Sequence, residues 1–150
     1  MFRGVNNINI DVKGRFGVPS RFREFLVNHC GGEMVVTIDT EEKCLLIYPR
    51  PDWDDIQRRV EELPSFNAVT RRVQRLLIGH ATDVQMDASG RVLLPPPLRT
   101  YANLEKKGIL IGQGKKMELW DESAWSNKRD IWVEEGQSLG IPQELAGLSL

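Results

Sequence analysis

A chain of 150 residues, 41% hydrophobic and 27% charged, is long enough to close one core and bury roughly 70% of its unfolded surface. Its net charge of −1 lacks the overall basic surplus that marks many nucleic-acid binders. Apolar runs such as "VLLPPPL" fall far short of the about 20 residues a membrane span needs, and "MFRGVNNINIDVKGR" has neither an apolar h-region nor a small-residue cleavage site. A cytoplasmic protein with no membrane partner is the expectation.

In chain order, Ile8 and Ile10 flank Asn9 in the alternation of a half-buried strand, and Asp11-x-x-Gly14-Arg15 reads as a turn in which Gly14 adopts a conformation other residues resist. A second strand through Phe16 and Val18 stops at Pro19. A helix over "SRFREFLVNHC" turns Phe22, Phe25 and Leu26 inward and ends at Gly31 and Gly32. Two hairpin strands, "VVTI" and "LLIYP", follow. The segment "PDWDDIQRRVEEL" spaces Trp53, Ile56, Val60 and Leu63 along one helix face, with Asp52 suited to cap it. A further helix, "NAVTRRVQRLLIG", carries an apolar stripe of Val69, Val73, Leu76 and Leu77 and ends at Gly79.

The chain then repeats itself. "DVKGRFGVPSRFRE", beginning at Asp11, returns as "DASGRVLLPPPLRT", beginning at Asp87. Val84 and Met86 stand for Ile8 and Ile10, Gly90 for Gly14, Val92 and Leu94 for Phe16 and Val18, and Pro95 for Pro19. A shorter helix follows with Leu98, Tyr101 and Ala102 inward. In "ILIG" and "MELWD", Met117, Leu119 and Trp120 match Leu45, Ile47 and Tyr48, and Trp125 matches Trp53 at a helix start. Residues 134–150 read as a loosely held tail with one docking turn. About 50 residues per copy make only a marginal core, so the copies are expected to share one. The fold class is α+β, mainly β with short helices: two fused modules forming one pseudo-twofold unit. The boundaries are 1–53 for the first module, 54–79 for a helical connection, 80–125 for the second module and 126–150 for a C-terminal helix and tail.

Charge is segregated along the chain. Residues 1–32 hold Arg3, Lys13, Arg15, Arg21 and Arg23 against Asp11 and Glu24, whereas residues 33–65 hold nine acids against four bases. Such a pattern can build a basic face on a neutral protein. Arg15, with Lys13 and Arg3, is the leading candidate for nucleic-acid contact, because a planar five-donor fork can grip a phosphate or a guanine edge. Arg91 is its repeat, without a basic neighbour. Asp11 and Asp87, with Gly14 and Gly90, read as turn builders, each carboxylate clasping the arginine four positions on. Arg71, Arg72 and Arg75 read as a solvated helix face. Cys30, Cys44, His29 and His80 lack metal-ligand spacing, so neither metal nor cofactor is expected and the thiols read as inert. No nucleophile or paired-carboxylate frame is present to act on a small-molecule substrate. Two readings remain: a DNA-binding protein, or an interaction module such as an antitoxin or assembly scaffold.

The two Asp-x-x-x-Arg motifs, "DVKGR" and "DASGR", each followed by an apolar strand, proline and a terminal arginine, resemble those of the MraZ family. "GHATDVQMDASGRVLLPPPLRTYANL", "ILIGQGKKMELWDESAW" and "GLSL" extend the resemblance over nearly the whole chain. It implies two AbrB-like swapped-hairpin modules in a β-barrel unit, assembled into a ring homo-oligomer. It also implies a cytoplasmic, nucleoid-associated transcriptional regulator, generally a repressor, of the division and cell-wall gene cluster, binding direct repeats of double-stranded DNA at the promoter. The motif arginines map to Arg15 and Arg91 and the aspartates to Asp11 and Asp87. Gly17 departs from the family, which more often has a side chain there, and is expected to loosen the first hairpin. The "DTEEK" loop is less glycine-rich than usual.

Overall fold

The computed structural model describes residues 1–150 and builds them mainly from antiparallel sheet with short helices on its flanks. Strand β1 (Phe2–Asn9) enters the glycine turn, β2 (Arg15–Gly17) leaves it, and Pro19 starts helix α1 (Ser20–Cys30). The helix ends where expected, at Gly31 in the left-handed region (φ 63°), with the Gly31 and Gly32 amides donating back to Val27 and Leu26. Strands β3 (Glu33–Ile38) and β4 (Leu45–Pro49) complete the first copy. Helix α2 (Arg50–Glu61) and helix α3 (Ala68–Val73), prolonged by a π turn over Gln74–Ile78, form the connection. Strands β5 (Thr82–Gln85) and β6 (Arg91–Leu93), helix α4 (Pro96–Tyr101), and strands β7 (Lys107–Gly114) and β8 (Lys116–Asp121) repeat the order. Helix α5 (Glu122–Leu139) follows.

Strand pairing shows how the copies share a core. The large sheet runs β1-β7-β8-β4-β3-β5, and β2 pairs with β6 in a separate two-stranded ribbon. The first strand of each copy therefore lies against the other copy's hairpin, β1 on β7 and β5 on β3, as a swapped-hairpin arrangement requires. The central pairs are self-complementary: Leu45 faces Leu119 and Ile47 faces Met117, while Arg15 faces Leu93 and Gly17 faces Arg91. A pseudo-twofold axis passes between β4 and β8 and between β2 and β6. Pairing through Gly17 is uninterrupted, so its missing side chain does not open the ribbon.

One continuous core lies between sheet and ribbon. Phe16, Val18, Val92 and Leu94 from the ribbon and its exits bury against Val36, Ile38, Leu45, Ile47, Leu110, Met117 and Leu119, with Phe22 and Leu26 of α1, Leu98 of α4 and Ala102 just past its end closing the sides. On the other face of the sheet, α2 packs Trp53 on Tyr48 (ring centroids 5.6 Å) and α5 packs Trp125 on Trp120 (5.8 Å), so the aromatic pair recurs with the repeat.

Some helix details depart from the sequence expectation. Asp52 does not cap α2: Pro51 fixes the first turn, the helix starts at Arg50, and the Asp52 carboxylate meets His29 Nε2 at 2.8 Å. Side-chain caps form instead at Asn67 on α3, whose Oδ1 accepts the Val69 amide at 2.8 Å, and at Asp121 on α5, whose Oδ2 accepts the Ala124 amide at 3.0 Å. Leu63 lies past the end of α2 and is 45% exposed, and Val69 on α3 is 70% exposed, because no element covers either position. The segment 134–150 is exposed, but its first six residues continue α5, and a short turn at Gln143–Leu145 follows.

Candidate nucleic-acid interface

Each glycine turn is built locally. The Gly14 amide donates to the Asp11 carbonyl and the Gly90 amide to the Asp87 carbonyl, with φ of 92° and 79° at the two glycines. This is a three-residue hairpin loop closed by a left-handed glycine. In the first turn Asp11 Oδ1 accepts the amides of Lys13 and Arg15, both at 2.9 Å, and Asp11 Oδ2 accepts Arg15 Nε at 2.8 Å. The backbone amide of Arg15 and then its guanidinium hold the Asp11 carboxyl down at about 2, against the opposing effect of desolvation. In the second turn Asp87 Oδ1 accepts the Ser89 and Arg91 amides at 2.9 Å, and its carboxyl is likewise lowered, chiefly by the Arg91 amide. Arg91 is clasped less firmly, its Nε standing 3.4 Å from Asp87 Oδ2.

The clasp aims each arginine. With Nε tied back to Asp11, the two Nη groups of Arg15 make no hydrogen bond within the chain and remain free as a fork. The side chains of Arg15 and Arg91 are 32% and 42% exposed. Phe16 and Val92 fill the inner face of the ribbon, so Arg15, Gly17, Arg91 and Leu93 share its outer face. Arg15 and Arg91 are diagonal neighbours there, on the order of 7–8 Å apart at Cα.

The two turns are locked to each other. Val18 donates to the Gly90 carbonyl at 2.8 Å and Leu94 to the Gly14 carbonyl at 2.9 Å. Across the same junction, Arg99 of α4 lies over Gly14 and Arg23 of α1 lies over Gly90, close enough that a Cβ on either glycine would strike the guanidinium. Arg23 Nε donates to the Val18 carbonyl at 2.7 Å. The face thus gathers Arg15, Arg91, Arg23, Arg99 and Lys13 around two carboxylates. Arg23 and Arg99 were missed as members of this face; the available signal was that both stand four residues after the repeated proline.

Arg3 does not join the cluster. It sits near the far end of β1, eight positions before Asp11, which at about 3.3 Å per residue is roughly 25 Å of extended chain. Arg71, Arg72 and Arg75 are exposed on the connection, Arg72 donating to the Thr40 carbonyl at 2.9 Å. The earlier sulfur and imidazole candidates have separate partners: His29 with Asp52, His80 with the Leu76 carbonyl, and Cys30 Sγ with the Leu26 carbonyl. Asp39, Cys44 and Glu118 do approach one another, but Asp39 already accepts the Glu41 and Glu42 amides, Glu118 accepts Trp120 Nε1, and burial pushes the Cys44 thiol up. That group reads as a loop clasp.

The chain matches the family described as "MraZ protein, putative antitoxin-like" twice, over residues 1–76 and again over 77–131. It belongs to the MraZ family. The two matches fall one on each copy of the repeat, so the internal duplication is a property of this MraZ-family chain as a whole. It is 55% identical over 150 residues to the transcriptional regulator MraZ of Alkalilimnicola ehrlichii, covering all of both chains. It is similarly related to proteins of the same name from Halorhodospira halophila (51%) and Coxiella burnetii (53%), each over 152 aligned residues and the full length of both chains. No helix is long and apolar enough to cross a membrane.

Proposed function

We propose that this chain is a sequence-specific DNA-binding transcriptional regulator, not an enzyme, and that Arg15 and Arg91 are its principal DNA contacts. The observation that carries the reading is the outer face of the β2/β6 ribbon, where two arginines present free Nη groups side by side. A two-stranded ribbon fits the major groove, about 12 Å wide, and a bidentate guanidinium there recognises the O6 and N7 acceptors of guanine. Lys13, in the first turn, and Arg23 and Arg99, packed over the turn glycines, are the proposed contacts to the flanking phosphates. Family membership and the shared name of the full-length relatives support transcriptional control as the outcome.

The finer reading is that the protein works in the cytoplasm at the nucleoid as a ring homo-oligomer on promoter direct repeats of the division and cell-wall gene cluster, repressing it. One subunit neutralises only a few phosphates, but neighbouring subunits on spaced boxes act at high effective concentration, which adds a factor of about 10²–10⁴. Exposed apolar side chains at Val133, Leu139, Ile141, Leu148 and Leu150 supply surface for self-association. That same surface favours the second reading, an assembly scaffold or antitoxin-like module indifferent to DNA. Protection mapping of the DNA upstream of the protein's own gene separates them. Regularly spaced boxes in one orientation are expected; an assembled ring that protects nothing would leave the scaffold reading standing.

A further inference from the structure

The ribbon's pseudo-twofold symmetry is broken at one outward position. Arg15 and Arg91 are equivalent, but the residues opposite them are not: Arg15 faces Leu93, while Arg91 faces Gly17. Leu93 is 55% exposed although it lies in a strand between two guanidinium groups. At Gly17 there is only an open slot, since a Cβ built there would meet nothing nearer than Arg23 Nη2 at 3.7 Å. The flanks differ as well. The cleft beside Leu93 is lined by Lys13, Asp83 and Gln85, and its counterpart beside Gly17 by Asn7, Asn9 and Arg23.

We infer that Leu93 reads the C5-methyl group of a thymine next to the base contacted by Arg15, and that the empty position at Gly17 gives each subunit one fixed direction on DNA. This rests on the DNA-binding reading above and names what the same face selects. In the major groove the thymine methyl is the one apolar feature of a base edge, and a lone exposed leucine between arginines matches it. Directly opposed residues stand about 4.5–5.5 Å apart at Cβ, and stacked bases are about 3.4 Å apart along a strand, so Leu93 falls one to two base steps from the Arg15 contact. A symmetric ribbon would favour a palindromic site, because operator symmetry mirrors protein symmetry. A ribbon with leucine on one side only favours an oriented box, and oriented boxes assemble as direct repeats.

The test selects duplexes from a randomised library with the full-length wild type, with Leu93→Ser and with Gly17→Leu, then replaces each selected thymine by uracil to remove its methyl. The wild type is expected to select a non-palindromic box containing one thymine whose replacement weakens binding about fourfold, the worth of one buried methyl-sized group. Leu93→Ser is expected to bind the thymine and uracil duplexes alike. Gly17→Leu, whose side chain has room, is expected to select a more nearly palindromic box. Equal uracil sensitivity in wild type and Leu93→Ser, or a palindromic wild-type box, would overturn the inference while leaving DNA binding intact. Failure of the wild type to enrich any duplex would remove the DNA-binding reading and this inference together.

Discussion

Asp11 does at residue scale what the repeat does for the whole chain: it fixes a turn so that a neighbouring arginine points outward. Its depressed pKa makes a pH prediction with a definite sign. A carboxyl whose folded pKa is lowered adds stability that is fully present above its unfolded value, near 3.8, and is lost as pH falls through about 2. NMR titration should therefore find Asp11 protonating at about 2, with Asp87 also below the ordinary aspartate value. An ordinary midpoint for Asp11 would mean the clasp is not formed. Gly14 gives a second test, because a side chain there meets both a positive φ and the Arg99 guanidinium. Gly14→Ala and Gly90→Ala should each cost about 1–3 kcal/mol in urea unfolding, whereas Gly17→Ala should cost little. The roles of Asp11 and Gly14 were legible in the sequence because their partners lie within four residues. The crossing of Arg23 and Arg99 onto the opposite turns was not, since it depends on how the two copies interlock. Arg3 shows the converse: near Arg15 in sequence, it is carried away by eight residues of extended strand.

Among the elements, strands were the most legible, because alternation around Ile8, Ile10, Val84 and Met86 reports a half-buried strand directly. Helix starts were less so. Asp52 and Asp121 are both aspartates beside a tryptophan helix, but proline sets the first turn of α2, and only Asp121 occupies the cap position. Asp121→Ala should therefore destabilise the protein by about 1 kcal/mol, seen as a lower urea midpoint at unchanged slope. A change in slope would place the effect on the cooperativity of the fold rather than on the cap. The apolar stripe of the connecting helices was only partly right, because helical spacing states which residues share a face but not how far a neighbouring element covers it, which leaves Leu63 and Val69 exposed.

For the molecule as a whole, every strand of the first copy takes a partner from the second, β3–β4 being the pairing made within that copy, and the innermost pairing joins β4 to β8 across the axis. Residues 1–76 and 77–150 produced separately should not fold as monomers. Each should be unfolded or self-paired, and mixing them should restore the native near-ultraviolet dichroism of the Trp120–Trp125 cluster. A folded, monomeric half would contradict the shared core. The repeat made this sharing legible from marginal module size alone, but the exchange of first strands came from the family resemblance and not from any local pattern.

That shared core holds two arginine forks on one outer ribbon, and the proposed DNA contact rests on them. Fluorescence anisotropy titrations of promoter DNA across a series of salt concentrations, with the wild type, Arg15→Ala and Arg91→Ala, measure this most directly. Each substitution should weaken binding by about tenfold or more and lower the slope of log affinity against log salt by about 1 where a phosphate contact is lost, with thermal unfolding nearly unchanged. Wild-type affinity and wild-type slope in both variants would contradict the assignment of this face to DNA.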